Sequence, residues 1–491
     1  MSRNSGDIVE GYPLIGGYLG YITMLVGFIT LIPLLVLFFY PQEINNATYF
    51  IFPGVLAILS GYMLTFLIRG KEKGRLHKNQ DAIIVVCAWM IGIVVCALPF
   101  VLTGKYNFTQ AVFEAASGLS TTGLSVVDVN TAPKIFLMHR SNMLFFGGIG
   151  LVLVMMSVLS DVYGMRLYNA EGHSDRLLPN LIKSARMIIC IYAGYIISGT
   201  LLYYIFGMEL FDALNHAIAA ISTGGFSTKA ESIGYYNSRP IELITIILML
   251  LGCTNFLVHL LLIRGKVKAF FQHCEVKFML FVVALCTPIF VVLLLNNIVA
   301  DTSQAVRIAL FQIVSALTTT GFQTVDNFNS WNSALLFLTI LLMLIGGGAG
   351  STAGGIKQYR VYLLAKQFYW NIRDLASHKR IVRADSLERF GERSFVTDKE
   401  KYTANMFALF YLAVFVLGSL VFVLFGNSLE RSMFEFASAL GTVGLSVGIT
   451  GFDAPTAVLW TATLGMIIGR LEIYIVFLAL IRVAGDIKER W

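Results

Sequence analysis

Threonine and glycine recur together at four places in this chain, each time as Thr-x-Gly followed by Leu or Phe. The copies are Thr121-Thr122-Gly123-Leu124, Thr223-Gly224-Gly225-Phe226, Thr319-Thr320-Gly321-Phe322 and Thr442-Val443-Gly444-Leu445. What such a segment offers is backbone. Glycine takes dihedrals closed to other residues, so a short extended strand can turn its carbonyls one way while Leu or Phe packs the other. The threonine adds a hydroxyl at the inner end. Carbonyl oxygens presented in this way replace the hydration shell of a cation. A single copy reads as a turn between helices; four copies, each between two long apolar stretches, read as a repeat able to surround one axis.

The elements around each copy fit that chemistry. The runs Phe108–Leu119, Phe211–Ile221, Ser303–Leu317 and Leu429–Leu440 precede the four motifs. Each is about three turns of amphipathic helix, too short to span a bilayer. Each carries the negative end of its dipole to its own motif, which favours a cation and repels an anion. Ten apolar stretches reach the ~20 residues a span requires, at approximately 14–40, 49–68, 82–103, 135–160, 185–207, 240–263, 276–296, 333–365, 403–426 and 456–484. A motif copy lies between the third and fourth, fifth and sixth, seventh and eighth, and ninth and tenth. The expected fold is therefore an all-α polytopic membrane protein of ten transmembrane helices. Four repeats of helix, pore helix, filter strand and helix stand in pseudo-fourfold arrangement around one pore, after an N-terminal two-helix hairpin. The expected divisions are 1–78 for the hairpin, 79–165, 166–270 and 271–370 for repeats one to three, 371–401 for a cytoplasmic linker and 402–491 for repeat four.

Composition agrees: 57% of residues are hydrophobic and 13% charged, against roughly 25% charged in soluble domains. The first apolar run is too long for a signal-peptide core. Of the 36 Lys and Arg, 28 fall at the termini or in the connections away from the motifs, seven on the motif side, and one, Arg470, inside the last stretch. The positive-inside rule then places both termini in the cytoplasm and all four motifs toward the outside. This topology accounts for the net charge of +7, and nucleic acid is not needed as a partner. The six cysteines include no CxxC pair and read as packing residues. No nucleophile–base pairing, phosphate-binding loop or dinucleotide fingerprint is present, so no enzyme is expected. His139, His216 and His259 lack metal spacing and read as structural. Glu114 and Glu435 are the acidic residues near the motifs to weigh as proton carriers if transport were coupled.

Two further features stand out. The eighth stretch is interrupted by Gly346-Gly347-Gly348-Ala349-Gly350-Ser351-Thr352-Ala353-Gly354-Gly355. This density of glycine cannot make a firm helix, and irregular backbone at membrane depth implies protein or water around it. It lies inward of the third motif, where it can cross the exit path as a flexible gate. Arg470, in Gly469-Arg470-Leu471-Glu472, is a costly intramembrane charge. It can hold the glycine loop by its carbonyls or set a positive barrier in the path.

The four Thr-x-Gly segments, the run from Gly346 to Lys357 and the Gly469–Glu472 sequence together resemble the Trk/Ktr/HKT superfamily of potassium transporters. The extra N-terminal hairpin resembles its TrkH branch. The resemblance covers essentially the whole chain. It implies potassium (K+) uptake across the plasma (inner) membrane, with potassium bound at Thr121, Thr122, Gly123, Thr223, Gly224, Gly225, Thr319, Thr320, Gly321, Thr442, Val443 and Gly444. It implies an intramembrane gate made of Gly346, Gly347, Gly348, Gly350, Ser351, Thr352, Gly354, Gly355 and the pore-facing Arg470. It also implies a homodimer with one pore per subunit, embedded in membrane lipid. A cytosolic TrkA-type regulatory subunit would carry the nucleotide. Sodium-preferring plant relatives replace the first filter glycine with serine; glycine at all four positions favours potassium. The fourth copy departs, with Gly441 where the others have Ser or Thr, and with Val443. A proton- or sodium-coupled symporter on the same scaffold is the alternative.

Overall fold

The computed structural model describes residues 8–69, 71–73, 76–77, 79–150, 181–377 and 384–490. These residues are mostly helical, and they fall into two compact units. The first comprises the N-terminal part to Ser120, residues 125–193 and the C-terminal segment from Leu471. The second comprises Thr121–Leu124 and Gly194–Arg470.

In the first unit, α1 (Tyr12–Leu31) begins with proline in its first turn, where the missing N–H costs nothing. It packs along α2 (Thr48–Thr65). Glycine makes that packing possible: a Cβ on Gly20 would sit 2.7 Å from the Gly61 carbonyl oxygen, and one on Gly27 would sit 2.7 Å from that of Gly54. Small residues on facing helices let apolar spans approach closely where no hydrophobic effect drives them together. The outer face of α2 leaves Phe52, Leu56, Leu59 and Met63 exposed, as lipid contact requires. Helix α3 (Gln80–Leu102) packs on both. Helix α4 (Phe108–Leu119) starts with a reciprocal capping box between Asn107 and Gln110, which satisfies two otherwise orphaned N–H groups. Helix α5 (Lys134–Ile149) is capped by Glu43, whose carboxylate accepts from the Lys134 and Ile135 amides at 2.8 and 2.9 Å.

Helix α6 (Leu181–Ile205) leads into the second unit. There follow α7 (Leu210–Ile221), α8 (Arg239–Gly252), α9 (Phe256–Ile263), α10 (Val267–Gln272), α11 (Cys274–Asn297), α12 (Thr302–Leu317), α13 (Ser333–Ile345), α14 (Gln358–Leu375), α15 (Asp398–Leu424), α16 (Leu429–Leu440) and α17 (Thr456–Arg470). After them the first unit closes with α18 (Ile473–Arg490). The four short helices expected ahead of the motifs are α4, α7, α12 and α16. The third runs to 16 residues.

Among the described residues, six helices are long and apolar enough to cross a membrane, and eight if each of two broken pairs counts as one span. The fourth expected stretch, 135–160, lies partly outside the described residues. The stretch 240–263 is broken rather than continuous: α8 and α9 meet at 112° around Cys253–Asn255, and Asn255 starts the new helix by accepting from the Leu257 amide at 2.8 Å. The eighth stretch breaks, as glycine demands, between Ile345 and Gln358. Part of the expected linker, 371–401, carries regular structure among the described residues. Helix α14 continues to Leu375, and a hairpin pairs Ser386–Arg389 with Glu392–Phe395. Leu387 of the hairpin joins Leu363, Trp370 and Ala404 in a small core. Of the cysteines, Cys96, Cys253 and Cys274 are buried, Cys87 and Cys286 partly so, and Cys190 is exposed. Cys190 is therefore no packing residue within the chain.

The glycine seam gives a stability test. Gly61→Leu has to push α1 off α2. Overpacking of this kind costs about 1–3 kcal/mol, so the apparent unfolding temperature in detergent should fall, whereas Leu59→Ala on the exposed face should leave it near the parent value.

Candidate functional site

The four Thr-x-Gly segments share one backbone conformation. The threonines Thr121, Thr223, Thr319 and Thr442 have φ of 56°, 51°, 54° and 51°, and Gly123, Gly225, Gly321 and Gly444 have φ of 97°, 63°, 82° and 97°. The glycines do what their type allows. The threonines do what β-branched residues avoid. The reason lies in how the short helices end. In the second copy the Thr223 amide donates to the Ala220 carbonyl and the Gly224 amide to that of Ala219. In the third, Thr319 donates to Ala316 and Thr320 to Ser315; in the fourth, Thr442 donates to Ala439 and Val443 to Ser438. This is a Schellman ending, with threonine at the left-handed position that glycine normally fills. Each helix end thus satisfies its last carbonyls and turns the chain sharply into the following strand.

All four segments belong to the second unit, and they meet in a closed series. A Cβ on Gly123 would overlap the carbonyl oxygen of Gly224. One on Gly225 would overlap that of Thr320, one on Gly321 that of Val443, and one on Gly444 that of Thr122. Each glycine therefore backs onto the carbonyl of the middle residue in the next segment, and the fourth returns to the first. Thr121, Thr122, Thr223, Thr319, Thr320, Thr442 and Val443 are fully buried.

The glycine run sits against the same segments. The Gly354 amide donates to Thr319 Oγ1 at 2.9 Å. Thr352 Oγ1 lies 3.0 Å from Thr223 Oγ1 and donates toward the Gly252 and Ile221 carbonyls at 2.9 and 3.0 Å. A Cβ on Gly354 would overlap Thr442 Oγ1. Arg470, the last residue of α17, donates to the Thr352 carbonyl and reaches Thr121 Oγ1 at 3.4 Å. The run or its arginine thus touches the first threonine of every segment. Arg470 bonds the run through a backbone carbonyl. The run is also well bonded: Gly347 accepts from the Gln358 amide at 2.8 Å, Gly348 donates to the Cys253 carbonyl at 2.9 Å, and Gly350 accepts from the Phe256 amide at 3.2 Å. Gly346, Gly350 and Gly355 have positive φ, so glycine here serves conformation and close approach rather than looseness. Ser351 folds its hydroxyl back onto the Gly348 carbonyl at 2.7 Å.

A second repeated position escaped the sequence reading as a set. Nine residues before each motif glycine stand Glu114, His216, Gln312 and Glu435, all buried. In the first unit Glu114 accepts from Ser125 Oγ at 3.0 Å, the Val126 amide at 2.9 Å and Arg140 Nε at 2.8 Å. In the second unit Glu435 accepts from Ser446 Oγ at 2.7 Å, the Val447 amide at 2.8 Å and the Thr450 amide at 3.0 Å. His216 Nε2 pairs with Ser227 Oγ at 2.9 Å. Each ties its short helix to a serine two residues beyond the motif glycine. The fixed spacing was legible; the serine partners needed the fold. The third repeat differs. Gln312 has no hydrogen-bond partner for either amide atom among the described residues, and Ser315 Oγ holds the strand instead, through the Phe322 carbonyl at 2.6 Å. His139 and His259 are structural: His139 Nε2 pairs with the Cys96 carbonyl at 3.0 Å and His259 Nε2 with that of Leu251 at 3.0 Å. No group of three or more His, Cys, Asp or Glu suited to a metal occurs among the described residues.

These tethers predict a contrast. Glu435→Ala leaves the Val447 and Thr450 amides without their acceptor, at about 1–3 kcal/mol for each buried orphan; hydrogen exchange across 444–450 should rise and thermal stability fall. Gln312→Leu removes an unpaired buried amide of similar volume and should be neutral or stabilising in the same assays.

A protein-family model described as TrkH, cation transport protein, matches residues 49–484. The Trk system potassium uptake protein TrkH of Escherichia coli K12 is 32% identical over 482 residues, covering 93% of this chain and 95% of that protein. An uncharacterized cation transporter of Methanocaldococcus jannaschii is 32% identical over 461 residues, covering 93% and 92%. The crystal structure of the potassium transporter TrkH from Vibrio parahaemolyticus superposes with a TM-score of 0.84 at 28% identity, over 96% of this chain and 98% of that one. With the family match spanning nearly the whole chain, this protein belongs to the TrkH family of cation transport proteins.

Proposed function

We propose that this protein takes up potassium across the plasma membrane through a channel-like pore whose selectivity filter is the four Thr-x-Gly segments. The observation that carries the reading is the closed series of glycine-to-carbonyl approaches. It brings Thr121–Gly123, Thr223–Gly225, Thr319–Gly321 and Thr442–Gly444 around one point, with Leu124, Phe226, Phe322 and Leu445 buried behind them. A potassium ion entering from outside exchanges its water for these carbonyls and threonine hydroxyls. The C-terminal end of each short helix lies at its own segment and adds negative potential. The membrane potential contributes ~2.3 kcal/mol per charge per 100 mV, which accumulates potassium without an attached pump. Two relatives bear the potassium name.

In the same reading Gly346–Gly355 is the gate beneath the filter and Arg470 its latch, because the run contacts the inner threonine of the segments. Opening has to break the Arg470 bond to the Thr352 carbonyl and shift Gly354 away from Thr319 and Thr442. A homodimer, cytoplasmic termini and a cytosolic nucleotide-binding regulatory subunit of the TrkA type belong to the proposal too. Ordering of α14, the 386–395 hairpin and α15 into a small core offers that subunit a firm docking surface. Proton-coupled symport needs a carboxylate free to exchange protons. Glu114 is engaged by Arg140, and Glu435 by the strand beyond its filter segment, which speaks against proton coupling at these two residues.

Two expected outcomes follow. In planar bilayers under a potassium gradient at equal pH, current should reverse at the potassium equilibrium potential, and Gly123→Asp should abolish that selectivity; reversal that moves when pH alone changes would make the protein a coupled carrier. Arg470→Ala removes a hydrogen bond from a charged donor to the loop, so open probability without a regulatory subunit should rise by about tenfold, read from single-channel records.

A further inference from the structure

Beside the glycine run at Gly348, the second unit contains a small, partly open cavity of about 10 Å³, room for one water molecule. Cys253, Asn255, His273, Glu275, Gly348 and Gln358 are among the residues that line it. Glu275, in the first turn of α11, is buried and its Oε1 accepts from the Ala349 amide at 2.8 Å. Its other oxygen lies 3.9 Å from His273 Nδ1, too far for a hydrogen bond. His273 and Gln358 are each 1% exposed. Neither ring nitrogen of His273, nor Gln358 Nε2, has a hydrogen-bond partner among the described residues.

Buried polar atoms in native proteins find partners, in protein or in ordered water. Three such atoms around one water-sized space ask for a ligand that both donates and accepts. Burial and the nearby Arg389 guanidinium lower the His273 pKa to about 4, so the ring is neutral at physiological pH and offers one donor and one acceptor. Gln358 Nε2 only donates. A bare cation accepts nothing, so the donor set fits water.

We propose that this cavity holds one ordered water, bound by His273 and Gln358, which together with the Glu275 carboxylate forms the seat of the glycine run at Gly348–Ala349. The inference rests on the proposed gate: it names what holds the loop at Gly348–Ala349, while Arg470 holds it at Thr352. Glu275 is a positioning residue, acting on the ion path through the Ala349 amide.

The test uses the full-length protein in lipid nanodiscs. Hydrogen exchange of the peptide spanning 346–357 should rise about tenfold or more in Glu275→Ala, the loss expected for a hydrogen bond to a charged acceptor. Glu275→Gln keeps an oxygen for the Ala349 amide but as a weaker, neutral acceptor; its exchange should fall between parent and alanine, and this variant decides the matter if alanine fails to fold. A map at a resolution that shows ordered water should hold a peak within hydrogen-bond distance of Gln358 Nε2 and His273. Exchange equal to the parent in both variants, an empty cavity, or a peak that strengthens when thallium replaces potassium would overturn the proposal. Exchange reads the loop directly, so the seat and the gate can fail separately: raised exchange with unchanged conductance would keep the seat and remove the gate.

Discussion

A peptide group inside a membrane has to be paired or set beside something polar, and at four places this chain leaves the helix there. Each unpaired N–H or C=O in an apolar layer costs several kcal/mol. The rest of the site is organised around that demand. In the second, third and fourth copies the amides that open the strands turn back into the helix end, as Thr223 and Gly224 do on Ala220 and Ala219. Amides beyond the motif glycine are taken up by Glu114 or Glu435. With the amides so occupied, the carbonyls of the middle residues face the glycine of the next segment. The donors are spent on the scaffold and the acceptors are gathered together, the division of labour that the proposed cation site requires.

Threonine at the left-handed helix end carries a conformational cost of order 1–3 kcal/mol at each of four positions. Glycine there would be easier for the backbone. It would also remove the hydroxyls that meet the glycine run: Thr223 with Thr352, and Thr319 with the Gly354 amide. The strain and the contact come from the same residue. Glycine appears instead where a side chain has no room, as at Gly354 against Thr442 and at the four strand glycines.

The four repeats are not equivalent, and the differences have local causes. Acid, imidazole, amide and acid occupy one position on the four short helices, and the amide, Gln312, leaves its tether to Ser315. The helix after the second motif breaks at Cys253–Asn255, and the helix after the third breaks over the glycine run. These two breaks are bonded to each other through the Gly348 amide and the Phe256 amide. The glycine run is thus held by a second irregular segment whose sequence, Cys253-Thr254-Asn255, gives little warning beyond a capping asparagine.

The sequence by itself determined the membrane class, the four short helices and the two features that interrupt regular structure, because these depend on local composition: apolar length, glycine density and a threonine–glycine signature repeated at one place in each repeat. It determined the fixed spacing that puts Glu114, His216, Gln312 and Glu435 nine residues before a glycine. Tertiary structure alone decided that the strand glycines close into one series, that Arg470 bonds Thr352, and that Glu275 reaches Ala349 across 74 positions. Partners such as Thr121 and Arg470 are separated by 349 residues, and no local pattern encodes which distant carbonyl a donor will meet. The hairpin at 386–395 has the same explanation: Leu387 is one apolar residue among charges until Leu363, Trp370 and Ala404 surround it.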